Sequence, residues 1–262
     1  SGAARRYGLT SEHLALACAS HQGAAIHTDR VDRWLSDLGL QDSDLRCGPQ
    51  DPQDLAARDR LIKADQSPCR IHNNCSGKHA GFLTLAQDMG AGPDYHDPDH
   101  PVQLAVKQAF EDFVGEDSPG FGIDGCSAPN HACSIQGLAR AMAQCAVSDT
   151  TAELRDAMIA HPDLVAGETR ACTELMRAAP GVVVKTGAEA VYTAIIPSLK
   201  LGIAVKIEDG AMRASEAVIA ALLGQLGVLD PNHPAARKRR FGPIRNWDGL
   251  VVGETRVVAE LT

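Results

Sequence analysis

The sequence predicts an α+β protein in which a helical lobe packs against a small antiparallel sheet. Helical periodicity dominates from the start of the chain to about residue 179, and short β-branched runs separated by Gly and Pro follow it. Helices first and strands later are typical of α+β folds and argue against an alternating, doubly wound parallel sheet. With 262 residues, of which 44% are hydrophobic and 22% charged, the chain has the composition of a folded globular protein.

The helices are predicted from apolar periodicity and from residues typical of helix ends. The predicted helices run from Thr10 or Ser11 to about Ser20, from Ile26 to a C-terminal cap at Gly39, over a stretch after Pro52 that carries Leu55 and Ile62, from Gly77 to Met89, from Val102 to Val114, from Ser134 to Ala146, and from Thr151 to Ala160.

The strands are predicted from β-branched runs, and three of them should be adjacent and antiparallel. They lie at residues 182–185, 191–196 and 201–207, followed by a helix at 215–226, a polar loop containing the basic run 237–240, and a last strand at 250–258. A sheet of three or four strands is thin for so many helices. We therefore expect one domain over residues 1–262 whose fold continues before Ser1.

Charge and cysteine content exclude several classes of protein. The formal net charge is −8, from 25 Lys and Arg against 33 Asp and Glu, which argues against binding to nucleic acid or to anionic membranes. No apolar run is long enough to span a membrane. Eight cysteines are about 3% of the chain, far below the content of a disulfide scaffold. We expect a reduced, cytoplasmic protein whose thiols are core residues or ligands.

The stretch from His72 to Gly81 concentrates polar residues, a thiol and a lysine where a loop enters a predicted helix. The helix dipole favours a thiolate at this end, so we expect a lowered pKa for Cys75. The same dipole disfavours a cation, so we expect Lys78 to be biased toward the neutral amine, which can act as a base or a ligand. The alternative is an ordinary capping motif in which Asn74 caps the helix and Lys78 is solvated.

Three further segments place reactive side chains at turns or strand ends. These residues are Ser20 at the end of the first predicted helix, Asp124 and Cys126 around a glycine on a loop, and Lys185 at the end of a β-branched run. The alternative interpretations are a surface serine, an ordinary Asp-Gly turn and a charge that protects a sheet edge. The common zinc motifs, the glycine-rich nucleotide fingerprints and the G-x-S-x-G elbow are absent from the sequence.

The string HNNCSGKHAGFL, which begins at His72, closely resembles the signature of the Rhizobium-type L-asparaginases. Other blocks resemble that family in the same order: LALACASH from Leu14, DGC from Asp124, HPDLVAGETRACTELMRA from His161, VKTGAEAVY from Val184 and RNWDGLVVGE from Arg245. The resemblance covers the whole chain, and so many ordered blocks make chance agreement implausible.

The resemblance implies an amidohydrolase that converts L-asparagine to L-aspartate and ammonia. It also implies an α+β fold similar to serine β-lactamases and penicillin-binding enzymes. On the matching positions, Ser20 would pair with Lys185, and a zinc (Zn²⁺) site would be formed by Cys75, Lys78 and Cys126. Two thiolates and an amine would leave a fourth zinc position for water or substrate.

The same resemblance implies three residues near the substrate and a homodimeric assembly. Asp124 would meet the α-amino group of L-asparagine, and Cys172 and His79 would lie beside it. Asparagine, glutamine and other amides remain alternatives for the side chain that is cleaved.

One departure from the family concerns a Ser-x-x-Lys motif that lies upstream of the CASH block and has no counterpart in this chain. Its Ser is the strongest candidate for the primary nucleophile, so we expect the 262-residue chain alone to be weak or inactive on L-asparagine. Two alternatives stay open. One is a catalytically silent relative that binds zinc or an amino acid, and the other is a hydrolase that uses the thiol of Cys75 or Cys172.

Overall fold

The computed structural model describes residues 2–258, which divide into two compact units. The first unit contains the chain up to Ser134 together with Asp149–Gly167, and the second contains Ile135–Ser148 together with the chain from Glu168 onward. Helices and small antiparallel sheets make up both units, which confirms the predicted α+β class. One domain over residues 1–262 stays a prediction.

The first unit is mainly helical, and most of its helices begin and end within a few residues of the predicted positions. Its elements are α1 (Gly2–Arg6), α2 (Ser11–Ala17), α3 (Ala25–Asp37), α4 (Leu55–Lys63), α5 (Ser76–Asp88), α6 (Pro101–Val114), β1 (Phe121–Ile123), β2 (Pro129–His131), α8 (Ala152–Ala160) and α9 (Pro162–Val165). Thr10 caps α2, and Gly39 follows α3 with a φ of 71°, as the sequence predicts.

Helices α2, α3 and α5 build the core around the N-terminus of α5. Trp34 of α3 is almost fully buried, and its indole N–H donates to Thr84 Oγ1 of α5 at 3.1 Å. At Gly77, a Cβ atom would overlap the carbonyl oxygen of Leu16, so only glycine lets α5 approach α2 this closely. By contrast, Leu55 and Ile62 of α4 are 62% and 68% exposed, so these apolar residues add nothing to the core.

The second unit is built on a three-stranded antiparallel sheet. Its elements are α7 (Ile135–Val147), α10 (Ala171–Ala178), β3 (Val183–Thr186), β4 (Val191–Ile196), β5 (Leu201–Lys206), α11 (Met212–Gln225), α12 (Pro234–Arg240), β6 (Pro243–Arg245) and β7 (Val251–Glu254). The strand order β3-β4-β5 confirms the three adjacent strands. Helix α7 packs on β5, where Gly202 gives it room, because a Cβ there would overlap the backbone of Ala143.

Two predictions in the second unit were wrong. The basic run 237–240 is the end of helix α12 rather than a loop, because Pro234 is well placed in its first turn and His233 accepts from the backbone N–H of Ala235 at 3.2 Å. The last strand is shorter than predicted and pairs with β6 in a separate hairpin, not with the three-stranded sheet.

Residues 259–262, which end the chain, lie outside the described residues. Across residues 2–258, every helix is too short or too polar to cross a membrane.

Candidate metal centre and active site

Cys75 is the N-cap of α5, and the loop before it is held by Asn73. The Asn73 side chain donates to the carbonyl oxygens of Cys47 and Gly48 at 2.9 and 3.2 Å, while its Oδ1 accepts from the backbone N–H of Cys75 at 2.9 Å. The buried amide therefore joins two distant loops and fixes the backbone of Cys75. The predicted alternative, in which Asn74 caps the helix, is wrong by one residue.

Asp124 and Cys126 lie at the tip of the hairpin formed by β1 and β2. The backbone N–H of Cys126 donates to Asp124 Oδ2 at 3.2 Å, and the N–H of Asp124 donates to the carbonyl of Ala128 at 3.0 Å. Ser127 has a φ of 69°, in the left-handed region that favours glycine, so the turn keeps a strained residue next to Cys126. These bonds hold the Asp124 carboxylate and the Cys126 thiol on the same side of the turn.

The two loops meet in a cluster of potential metal ligands. The sulfurs of Cys75 and Cys126 and a carboxylate oxygen of Asp124 all lie within 4.8 Å of one another. Lys78, in the first turn of α5, donates from Nζ to Cys126 Sγ at 3.1 Å. The structure thus brings together all three predicted zinc ligands and adds Asp124, which the sequence predicts to bind substrate.

Burial and neighbouring thiols raise the pKa values of two cysteines in and beside this cluster. A hydrogen bond with Cys75, together with burial, raises the pKa of Cys126 to about 12. Burial and the nearby Cys126 also raise the pKa of Cys47 to about 12. These closely packed thiols resist ionisation by themselves. A cation bound between them would stabilise the thiolates, which are the forms that bind a metal.

The expectation of a neutral Lys78 was wrong. Burial alone lowers its pKa, but the interactions with the thiols of Cys75 and Cys126, including a hydrogen bond to Cys126, and the charge of Asp124 outweigh burial, and the net shift is upward. The amine is therefore protonated, and it must lose its proton before it can bind a metal.

The pKa of Asp124 shifts in the opposite direction to that of Lys78, and here too local contacts outweigh burial. Burial raises its pKa, but hydrogen bonds with Cys126 and the charge of Lys78 outweigh that effect and lower it. The carboxylate is therefore ionised and available to a cation, whether a metal or an ammonium group. His79, one residue after Lys78, is fully buried, and burial lowers its pKa.

The sequence predicts that Ser20 ends the first helix. In the structure α2 ends at Ala17, so Ser20 lies three residues beyond it. Its backbone N–H donates to the carbonyl of Val165 at 3.0 Å, and the next residue, His21, donates from its N–H to the carbonyl of Asn74 at 3.0 Å. The CASH block is thereby tied directly to the loop that carries Cys75.

His21 acts as a structural anchor for this arrangement. Its Nδ1 accepts from the backbone N–H of Gly23 at 3.1 Å, so its Nε2 carries the proton and donates to Ser76 Oγ at 2.9 Å. Ser76 in turn donates to the carbonyl of Ile71 at 2.9 Å. Burial lowers the pKa of His21 well below its usual value. The imidazole of His21 is thus neutral, and both of its ring nitrogens make hydrogen bonds.

Cys172 and Lys185 both belong to the second unit and lie near the end of β3. The backbone N–H of Thr186 donates to Cys172 Sγ at 3.3 Å, and the hydroxyl of Tyr192 lies 3.1 Å from the same sulfur. Lys185 Nζ donates to the carbonyl of Thr186 at 2.6 Å, and β3 is an edge strand of its sheet. The pairing of Lys185 with Ser20 stays a prediction.

Comparison with known families decides the identity. The sequence profile described as L-asparaginase II matches residues 1–257. The chain belongs to the L-asparaginase II family. It is therefore an L-asparaginase-type amidohydrolase with a small-molecule substrate, which confirms the resemblance found in the sequence. A search of curated proteins found no match.

Several residues that shape the site of this L-asparaginase II family member were not identified from the sequence. Asn73 stands inside the signature string but has no assigned role. Cys47 lies in the segment LRCGP, which also resembles the family but was given no site role, and Tyr95 lies in a segment without a local signal. Each acts through contacts with residues far away in the chain. The signals that pointed to this region were the polar string around His72 and the loop that carries Asp124 and Cys126.

Proposed function

We propose that this L-asparaginase II family member hydrolyses L-asparagine to L-aspartate and ammonia by a Ser–Lys mechanism beside a zinc centre. The observation that supports the metal part is the cluster of Cys75, Asp124 and Cys126, with Lys78 Nζ at 3.1 Å from Cys126 Sγ. The two sulfurs and the Lys78 nitrogen would leave the fourth position of tetrahedral zinc open to water or substrate, with the Asp124 carboxylate beside it. Bound zinc would act as a Lewis acid that stabilises negative charge on the substrate.

The proposed chemistry is acyl transfer through Ser20. Ser20 Oγ attacks the carboxamide carbon of L-asparagine, and the amine of Lys185 accepts the hydroxyl proton. The C–N bond then breaks, the departing nitrogen takes the proton from Lys185 and leaves as ammonia, and an ester between Ser20 and the aspartyl group remains. Water adds to that ester, releases L-aspartate and returns the proton to Ser20.

The substrate contacts are proposed from the family resemblance and the charges of the site. The ionised carboxylate of Asp124 would bind the α-amino group, and its place beside both thiols would hold L-asparagine next to the metal donors. Cys172 and His79 are proposed to support this pocket. Both side chains are almost fully buried.

The test is ammonia release from L-asparagine and from L-glutamine, measured on this chain and on a version extended upstream. The extended version is included because the family resemblance places a Ser-x-x-Lys pair before the CASH block. Release from L-asparagine that is lost in Ser20→Ala and in Lys185→Met supports the proposal. Unchanged rates in both variants overturn the Ser–Lys assignment, and zinc binding without ammonia release in either version supports a silent relative instead.

Assembly and location are two further parts of the proposal. The family resemblance suggests a homodimer, which sedimentation velocity at several protein concentrations would test. None of the eight cysteines forms a disulfide within the part of the chain that the structure describes. The cysteine content of about 3%, far below that of a disulfide scaffold, supports a reducing compartment such as the cytoplasm, which localisation of a tagged protein would test.

A further inference from the structure

A buried tyrosine lies behind the metal cluster on the side of His79. Tyr95 is fully buried, its hydroxyl oxygen accepts from the backbone N–H of Arg46 at 2.7 Å, and the same oxygen lies 2.8 Å from His79 Nδ1. Tyr95 also packs edge-on against the His79 ring, with 5.4 Å between ring centroids. The position of the phenol relative to the imidazole is thus fixed by two polar contacts and by packing.

These contacts determine which nitrogen of His79 carries the proton. The Tyr95 oxygen already accepts from Arg46, and among the described residues the phenol proton has His79 Nδ1 as its acceptor. The reverse arrangement, with Nδ1–H donating to the phenol, would leave a buried O–H without an acceptor, which is costly. A neutral imidazole that accepts at Nδ1 carries its proton on Nε2.

The second ring nitrogen of His79, Nε2, is buried and has no hydrogen-bond partner among the described residues, and the His79 ring interacts with the thiol of Cys126. Because Tyr95 occupies Nδ1, Nε2 is the nitrogen left for Cys126. A thiolate on Cys126 would accept from this N–H, because a charged acceptor strengthens and shortens the hydrogen bond.

We propose that Tyr95 and His79 form a positioning relay for the metal centre, in which Tyr95 fixes the ring proton on Nε2 and His79 donates it to the Cys126 thiolate. The relay rests on the metal site of the proposed function, but it assigns a new role to Tyr95 and a specific atom-level role to His79. Hydrogen-bond partners of metal ligands commonly change metal affinity by about 10-fold to 100-fold when they are removed.

The test uses Co²⁺ as the probe, titrated into the reduced protein without oxygen, with the sulfur-to-cobalt charge-transfer band as the signal. Tyr95→Phe and His79→Leu should each weaken Co²⁺ binding by at least about 10-fold and shift that band, because a donor to the bound thiolate is lost or misoriented. His79→Gln, which keeps an N–H near the position of Nε2, should restore most of the affinity and the band position.

Tyr192→Phe is the matched control. Tyr192 is a fully buried tyrosine of the second unit whose hydroxyl contacts the sulfur of Cys172. Because that hydroxyl makes no contact with His79, this variant should leave the Co²⁺ affinity and spectrum unchanged. A purely structural role of His79 would make the Leu and Gln variants equally weak, with no change in the charge-transfer band. That pattern, or unchanged affinity in Tyr95→Phe and His79→Leu, overturns the relay while leaving the metal centre in place.

A second measurement does not depend on the folding of any variant. Long-range ¹H–¹⁵N NMR of the unaltered protein reports which nitrogen of His79 is protonated, and we expect Nε2. A proton on Nδ1 overturns the relay alone. An unaltered chain that binds no Co²⁺ overturns the metal centre and the relay together, so the two failures are distinguishable.

Discussion

Cys75 and Cys126 reach the same cluster from a helix end and from a hairpin tip, so neither thiol can be replaced by a neighbour. We expect Cys75→Ser and Cys126→Ser each to lower the zinc content of the purified protein by at least tenfold, since a serine hydroxyl is a poor zinc ligand. Elemental analysis by mass spectrometry checks this. Cys145→Ser, which alters a thiol on α7 in the second unit, should retain the metal, and full zinc content in Cys75→Ser would remove that residue from the site.

The raised pKa values of Cys126 and Lys78 predict how metal binding depends on pH. Cys126, whose pKa is about 12, and Lys78, whose pKa is raised, both hold protons near neutral pH and must release them to bind a metal. Apparent zinc affinity should therefore rise with pH, about tenfold per pH unit for each proton released, and fall as the solution is acidified. Competition with a chelator between pH 6 and pH 9 measures the slope. A flat profile would mean that the ligands bind without losing protons.

Lys78 shows what sequence reasoning could and could not reach at a single residue. Its place in the first turn of a helix was predicted correctly, and the dipole argument that followed from it was sound for an isolated helix. Lys78 is nevertheless protonated, because a distant hairpin brings the sulfur of Cys126, which accepts a hydrogen bond from its amine, and the negative charge of Asp124 close to it. Such contacts are invisible in a local pattern.

The close approach of α5 to α2 gives a prediction at the level of elements. Gly77→Ala should destabilise the protein by about 1 to 3 kcal/mol, because the added methyl group would overlap the Leu16 backbone and force the helices apart. Gly81→Ala is the matched control on the same helix, since the nearest atom to its Cβ would be Ala17 Cβ at 3.6 Å. The control should be neutral or stabilising by up to about 1 kcal/mol. Urea unfolding of both variants measures the difference.

Helix α12 is held in the second unit by ion pairs of Arg239. Its guanidinium donates to Glu174 Oε2 at 2.6 Å and to Glu216 Oε2 at 2.8 Å, and the three side chains are each less than a quarter exposed. We expect Arg239→Met to lower the free energy of unfolding by about 2 kcal/mol, because Glu216 loses this donor and Glu174 keeps only the one from Lys238. Arg237→Met, an exposed position on the same helix, should change it by less than about 0.5 kcal/mol. Equal effects would mean that the ion pairs contribute little.

Elements with a strong local signal were predicted well, and those that depend on tertiary contacts were not. The runs that became β3, β4 and β5 are rich in β-branched residues and bounded by Gly and Pro, so their pattern was sufficient. Helix α12 was missed because its basic run looks like a solvated loop until Glu174 and Glu216 are placed beside it. The end of α2 was predicted too late for the same reason, since Ser20 is held by Val165 rather than by its own helix.

At the scale of the whole molecule, each unit is assembled from two separate stretches of chain. The stretch that begins at Glu168 contains β5 but lacks α7, which packs on that strand at Gly202. We expect a fragment starting at Glu168 to stay unfolded, because the α7-facing side of its sheet has no cover, and we expect residues 135–148 joined to it by a flexible linker to restore structure. Circular dichroism and amide hydrogen exchange compare the two. A fragment that folds alone would show that α7 is dispensable.

The division into two units was not expected from the sequence, which shows no linker or change of composition at residues 134–135, 148–149 or 167–168. The three boundaries fall immediately before α7, between α7 and α8, and between α9 and α10. The predicted single domain can be tested by calorimetry. One transition with equal calorimetric and van't Hoff enthalpies would support it, and two transitions would contradict it.

The packing of α7 on β5 also sets a delay during synthesis. The helix is complete at Val147, whereas the strand that covers its apolar face is complete only at Lys206. At ordinary elongation rates of about 5–20 residues per second, α7 waits for roughly 3 to 12 s before its partner leaves the ribosome. During that interval its apolar face is open to chaperones or to neighbouring nascent chains, so the rate of translation between these two elements should influence the yield of folded protein.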